Sequence, residues 1–356
     1  MSQTTTLFPG AMGPDGFISC FDHLMDEQQI RRKIILKGGP GVGKSTFMRR
    51  VHAALCKNGE EATLYVCSGD PDSLDAVAIA HAGLLILDGT APHVIDPAIP
   101  GARDSIVNLG DCLDEAALRK RIAPIRAIMR DHAAMGRRAR ACMQAACALR
   151  RDNAALIAAA VDGEKRAKMT RALQHAVLDS GAPGQSTPHV RRVITDAVTL
   201  KGEMSLIAEN PQPRVIRAIG HWAMDMTDVL REVSLAARAA GYAVWEHLCP
   251  AVPGWLLHLT IPALGVLITT GDQLPSEQTF DFSACMAQGA LLRCESALEQ
   301  GRAGVMLHTG RAAAAMKEAK QLHDELEAFY VPNMDFAAWE KKLDATLASL
   351  NGCADA

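Results

Sequence analysis

Residues 33–46 constrain this chain more than any other stretch. Lys33-Ile34-Ile35-Leu36-Lys37 is an apolar, β-branched run, and Gly38-Gly39-Pro40-Gly41-Val42-Gly43-Lys44-Ser45-Thr46 follows directly. Gly38, Gly43, Lys44 and Ser45 fill the fixed positions of G-x-x-x-x-G-K-[ST], whose glycines let backbone N–H groups close around an anion. Phe47, Met48, Val51 and Leu55 then recur at helical spacing. A strand, a tight loop and a helix are therefore expected in succession, with the helix N-terminus aimed at phosphate. Gly38, Gly39, Pro40, Gly41, Val42, Gly43, Lys44, Ser45 and Thr46 are all candidates for cradling a nucleoside triphosphate. In such a loop the lysine reaches the β- and γ-phosphate oxygens, and the serine hydroxyl ligates Mg²⁺.

The segments downstream extend the pattern. Ala62-Thr63-Leu64-Tyr65-Val66-Cys67 reads as a second strand, and Ser68-Gly69-Asp70-Pro71-Asp72-Ser73-Leu74-Asp75 follows as an acidic loop. Ligands of open α/β sheets sit beyond the carboxyl ends of the strands, so this loop is expected near the phosphates. Leu84-Leu85-Ile86-Leu87-Asp88 is an apolar run closed by one carboxylate. Beside a phosphate loop, Asp88 is expected to hold Mg²⁺ together with Ser45. For orienting an attacking water, Asp70 is the first candidate, Asp72 the second and His93 the third. Asp70-Pro71-Asp72 reads equally as a capping turn. Thr90 and His93, in the run Asp88 to Pro97, either meet the γ-phosphate or merely shape a glycine- and proline-bearing loop.

The rest of the chain reads as connections and helices. Residues 1–6 look frayed, Phe17 to Leu24 reads as a short helix, and Asn58-Gly59 ends the helix after the glycine loop. Pro97 to Gly110 reads as a connection. From Asp111 to about Ala160 the Ala-, Arg- and Leu-rich sequence predicts long antiparallel helices interrupted near Pro124, with another helix over Glu164–Leu178. Arg137, Arg138 and Arg140 make either a solvated helix face or a site for an acidic partner. Residues 180–188 form a linker by composition. Phe282 to about Phe329 is again helical, and Asp335 caps a final helix, Phe336 to Leu350. His323-Asp324-Glu325 does not read as a metal site, because neighbours on a helix point in different directions.

The second half repeats the first. Gly220 follows Gly38 by 182 positions, and the same offset pairs Arg49 with Arg231, Gly59 with Gly241, Cys67 with Cys249, Leu74 with Leu256 and Gly89 with Gly271. Upstream the offset becomes 186, pairing Ala11 with Ala197 and Gly16 with Gly202. The copy lacks the chemistry: Gly43 is replaced by Asp225, Lys44 by Met226, Asp70 by Val252 and Asp88 by Thr270. A carboxylate in place of a glycine repels phosphate, and the missing lysine removes its counter-charge. The second copy is expected not to bind nucleotide and to support the first, with Arg214, Arg217 or an arginine of the helical segments available to reach the γ-phosphate.

The fold class expected is α/β: two tandem P-loop NTPase-like units with mostly parallel sheets, each followed by helices, the second degenerate. The boundaries are 7–179 (helical segment 111–179), the linker 180–188, and 189–350 (helical segment 282–350). With 356 residues, two domains are the prior. A net charge of −3 gives no field favouring nucleic acid or an anionic membrane. No apolar run reaches the ~20 residues a bilayer requires, and Met1 to Thr6 begins no secretory signal. The 10 scattered cysteines contain no CxxC pair, which fits reduced thiols in the cytoplasm.

Taken together, Leu36–Thr46, Cys67–Asp75, Leu87–Pro97 and Leu322-His323-Asp324-Glu325-Leu326-Glu327 resemble an uncharacterised bacterial family of P-loop ATPases built of two tandem NTPase-like halves. The resemblance covers nearly the whole chain, and Asp88 to Pro97 is its most specific part. It implies binding and hydrolysis of ATP, with no defined substrate. The family's second half often retains a recognisable P-loop, from which Met226 departs. Three functions are compatible with the residues: Mg²⁺-dependent ATP hydrolysis, phosphoryl transfer to a small molecule, and a nucleotide-gated interaction protein that meets a protein partner through its helical segments.

Overall fold

The computed structural model describes residues 4–56, 60–91, 93–179, 188–210 and 214–351. The linker at 180–188, except Pro188, lies outside these residues, as do the Asn58-Gly59 helix stop and Pro92.

The first half forms β1 (Thr4–Leu7), β2 (Gly10–Gly13), β3 (Gly16–Ser19), β4 (Arg32–Lys37), α1 (Lys44–Leu55), β5 (Ala62–Val66), β6 (Leu74–Ile79), β7 (Leu84–Asp88) and β8 (Asp104–Asn108). Six of these strands make a mixed sheet in the order β1-β5-β6-β7-β4-β8. The pairs β1–β5, β4–β7 and β4–β8 are parallel, while β5–β6 and β6–β7 are antiparallel. Ile34, Ile35 and Leu36 are buried on both sheet faces, which is why β4 reads as an unbroken apolar run rather than an alternating one. Then come α2 (Glu115–Arg119), α3 (Ile122–Ala158) and α4 (Gly163–Leu178).

The second half repeats this set: β9 (Val190–Val193), β10 (Asp196–Thr199), β11 (Gly202–Ser205), β12 (Arg214–Ile219), α5 (Thr227–Ala239), β13 (Val244–Leu248), β14 (Leu256–Ile261), β15 (Val266–Thr269), β16 (Gln278–Asp281), α6 (Gln288–Tyr330) and α7 (Phe336–Asn351). Its sheet runs β9-β13-β14-β15-β12-β16, the first sheet's order strand for strand. Registers agree as well: Thr63 faces Ala78 and Trp245 faces Thr260, and both sheets slip register after two further pairs, at Tyr65/Val66 and His247/Leu248. The chain is therefore two tandem α/β units related by duplication, at the offsets read from sequence.

Three expectations fail locally. The helix over 17–24 is instead strand β3 and a single 3₁₀ turn at Phe21–His23. Phe17 and Ile18 pair with Met12 and Ala11 across a hairpin. Residues 4–6 are not frayed, because they pair with Ala62, Thr63 and Leu64 at the sheet edge. Asp104–Asn108, expected in a connection, is edge strand β8.

The helices depart further. Residues 122–158 form one helix, not an antiparallel pair, and Pro124 lies in its first turn, where a missing N–H breaks no helical bond. Its antiparallel partner is α6 from the other half. With 37 and 43 residues, α3 and α6 are about 55 and 65 Å long, enough to join the two units. Each helix then delivers its successor to the opposite unit. Leu173 and Val177 of α4 pack on Val229, Leu230 and Ile216 of the second unit. Trp339 and Leu343 of α7 pack on Phe47, Met48 and Val51 of the first.

The exchange is symmetric. Leu113 pairs with Met334 and Val161 with Met286; Asp335 N–H donates to Cys112 O and Asp162 N–H to Cys285 O, both at 2.8 Å. These contacts map onto each other with a third offset of 173, which separates Asp162 from Asp335. Phe8 and Ile194, equivalent at offset 186, pair with one another. A residue meeting its own counterpart marks a two-fold axis, so the fold is an internal pseudo-dimer.

All nine described cysteines are free thiols; Cys353 lies outside the described residues. Among the described residues, no helix is long and apolar enough to cross a membrane.

Candidate functional site

Strand β4 runs straight into the glycine loop. Gly38, Gly41 and Gly43 have φ of 148°, 69° and 80°. Side chains resist that region, so three such residues in six make a backbone turn that only glycines hold without strain. A Cβ on Gly38 would also lie 2.7 Å from Val42 Cγ2. Gly43 is the N-cap and Lys44 the first residue of α1. The loop therefore turns tightly into a helix N-terminus, whose first N–H groups have no partner within the helix and can receive an anion.

Lys44 and Asp88 meet across this loop. β7 lies directly beside β4, with Leu36 opposite Asp88. Lys44 Nζ is 3.6 Å from Asp88 Oδ2 and also donates to Gly38 O and Gly39 O at 3.0 Å. The Thr90 N–H and hydroxyl both donate to Asp88 Oδ1, at 2.8 and 2.6 Å, so Thr90 fixes the carboxylate. Lys37 Nζ donates to Gly89 O at 2.8 Å and to Ile95 O at 2.7 Å, pinning this loop to β4. His93 stacks on Phe21 with ring centroids 4.5 Å apart, and its buried Nδ1 has no partner. Burial pushes its imidazole below the ordinary value; the Asp88 charge opposes that and Lys44 reinforces it.

Ser45 Oγ accepts the Leu74 N–H at 3.0 Å, and Thr227 Oγ1 does the same for Leu256 in the other unit. This hydroxyl thus has a structural role in both copies and keeps a lone pair free. Asp70 lies 3.6 Å from Lys320 Nζ of α6. Asp72 is elsewhere: its exposed carboxylate holds Lys201 Nζ at 3.0 and 3.1 Å across to the β10–β11 turn. The structure brings His93 toward Lys44 and Asp88 and Asp70 toward Asp75 and Lys320, but leaves the Asp72 carboxylate at the surface.

Asp75 was not singled out from the acidic loop, yet it is the most perturbed carboxylate here. It is buried at the start of β6. Burial and the neighbouring Asp88 charge push its carboxyl up to about 7, against relief from the Cys67 thiol and Lys44. Its counterpart is Leu257, so both members of the acidic pair are lost in the second unit. The sequence signal was a charge opening an otherwise apolar strand. A raised folded value means native Asp75 keeps its proton where the unfolded chain has lost it. Its stabilising contribution is therefore complete at acid pH and fades as pH rises from about 4 toward 7. Asp75→Asn cannot ionise, so its stability advantage over wild type should grow by roughly 2–3 kcal/mol between about pH 5 and pH 8. Urea melts at the two pH values measure this; a constant difference would remove Asp75 from the site's electrostatics.

The cover over the loop comes from the other half of the chain. Glu327 of α6 accepts the Gly41 N–H, and its carboxyl is held below the ordinary value first by the His323 side chain, against burial, and further by Lys320 and that N–H. The Tyr330 ring packs on Gly39 and Val331 on Gly41. Trp339 Nε1 of α7 donates to Val42 O at 3.1 Å. Lys320, His323 and Glu327 share one helix face by their spacing. Their stretch was legible as a regular helix and as part of the resemblance, but not as the neighbour of a loop nearly 300 residues away.

The second loop has lost the geometry along with the residues. None of residues 220–227 has a positive φ. Met226 is buried in the second core, and Asp225 Oδ1 caps the Thr227 N–H at 2.9 Å. Arg214 bonds Ala176 O and Glu277, and Arg217 bonds Leu274 O, all within contacts of the second unit.

Comparison with protein-family models, with curated proteins and with solved structures found no match.

Proposed function

We propose that this chain is a Mg²⁺-dependent nucleoside triphosphatase, with ATP as the default nucleotide, working from one site at residues 38–46. The observation that carries this reading is the loop itself: three left-handed glycines, a helix N-terminus, and Lys44 facing Asp88 on the adjacent strand. Lys44 would move from the Gly38 and Gly39 carbonyls to the β- and γ-phosphates. The neighbouring carboxyls of Asp75 and Asp88 fit a divalent cation, because burial first and the Asp88 charge second keep Asp75 protonated, and a cation would offset both. Asp88 and the free lone pair of Ser45 would hold that ion, which supplies charge neutralisation for phosphoryl transfer. Asp70 orients the attacking water. His93, kept neutral by burial, offers its unpartnered Nδ1 to the same region.

The cover favours a switch over simple turnover. Glu327 bonds an N–H that phosphate needs, and it belongs to a helix that reaches the other unit. Triphosphate and the end of α6 therefore compete, and occupancy is linked to the α3–α6 pair. Phosphate release from Mg-ATP is expected to be slow in wild type and absent in Asp88→Asn. Glu327→Gln, a weaker acceptor, should bind ATP several-fold more tightly. Full activity in Asp88→Asn would overturn the reading, and unchanged affinity in Glu327→Gln would remove the competition.

A further inference from the structure

A cavity of about 490 Å³ lies beside the loop that has lost its lysine. That volume is within the usual range for small-molecule sites. Its walls come from five parts of the fold: Trp222 on the loop, Trp255 before β14, Arg150 and Asn153 on α3, Glu203 on β11, and Arg302 on α6. We propose that this cavity binds a small planar carboxylate, its ring against Trp222 and its carboxylate on Asn153, Arg150 and Arg302. The proposal does not depend on the nucleotide reading of the first unit.

Two donors ask for an acceptor. Asn153 is 1% exposed, yet its Nδ2 has no partner. Arg150 is held by Glu203 through Nη2, but its buried Nε also has none. Native interiors rarely leave such groups unpaired, and sites that do are candidates for ligands. The aromatic wall is equally unusual. Trp222 is 47% exposed, and the Arg302 guanidinium lies 5.5 Å from its ring centroid. An exposed indole with a guanidinium over its ring suits a flat body carrying negative charge, whose carboxylate meets the cation at the aromatic wall. The charges of Arg150 and Arg302 exceed that of Glu203 by one, so a monoanion balances the site.

The set is not a remnant of the first copy. Trp222, Trp255, Arg150, Asn153 and Arg302 stand where the first unit has Pro40, Ser73, His323, Leu326 and Met129. One unit carries the phosphate-type loop and the other has exchanged it for indoles, guanidinium groups and an amide, with α3 and α6 passing both places. A ligand held between α3 and α6 here would bias the helix pair whose far end covers Gly39 and Gly41.

The test uses the full chain and 2-naphthoate, a flat monocarboxylate, followed by titration calorimetry. The expected result is one saturable site per chain, at least tenfold weaker for neutral 2-naphthamide. Arg302→Met and Trp222→Ala, both exposed positions that leave the core intact, should each weaken 2-naphthoate at least tenfold. Asn153→Leu should do the same, with thermal melts checking that it folds. Lys44→Ala should bind it as wild type does. No saturable binding, equal affinity in all the variants, or loss of probe binding in Lys44→Ala would each overturn the proposal.

Discussion

Lys44→Ala is expected to weaken Mg-ATP binding at least a hundredfold, a loss of about 3 kcal/mol or more. The argument is electrostatic and local. The side chain is mostly shielded from water, and its ammonium faces the Asp88 carboxylate at 3.6 Å. Charge-assisted bonds to phosphate are strong, and stronger where solvent is excluded. Alanine leaves a phosphate opposite two carboxyls with no counter-charge but the metal. The fold should persist, because the left-handed glycines and the buried face of α1 do not use the lysine. Calorimetric titration of Mg-ATP into both proteins measures the loss. Affinity within threefold of wild type would show that nucleotide, if bound, is held elsewhere.

Leu343→Ala is expected to destabilise the first unit by roughly 2–5 kcal/mol, although Leu343 lies far along the chain from every strand of that unit. The residue is fully buried among Phe47, Met48 and Val51 of α1, beside Trp339, whose ring meets Phe47 edge-on at 5.6 Å. Deleting its branched end leaves a cavity under the helix that begins with Lys44. Chemical unfolding followed by Mg-ATP titration separates the two effects: stability falls strongly, and affinity falls with it as α1 loosens. A change below about 1 kcal/mol would mean that α7 does not complete the first core.

These two residues also mark what the sequence could and could not disclose. The loop at Lys44 was legible because its turn needs glycines at fixed spacing before a helix start. The duplication was legible between Gly38 and Gly89 because strands β4 to β7 start at the same spacing as β12 to β15, so one offset serves throughout. It faded in the helices for two reasons. The connection after β15 is shorter than that after β7, which moves the offset from 182 to 173. Alanine-rich helices also carry few landmarks for realignment. The place of Leu343 was hidden for a different reason: helical periodicity says that a face is buried, not which partner buries it. The exchange of α4 and α7 is a choice between two equivalent surfaces, and only three-dimensional contacts settle it. Asp75 reads in sequence as the end of the acidic loop rather than as part of the strand it opens. Glu327 was overlooked because its partner is a backbone N–H, which leaves no sequence signature.

The duplication leaves one unit with a left-handed glycine loop and a lysine and one without either, and the account stands on that asymmetry. The most direct test is the stoichiometry of Mg-ATP at saturation, measured by equilibrium dialysis of the full chain with radiolabelled nucleotide. The account predicts one nucleotide per chain in wild type and none in Lys44→Ala. Two per chain, or one that survives in Lys44→Ala, would contradict it.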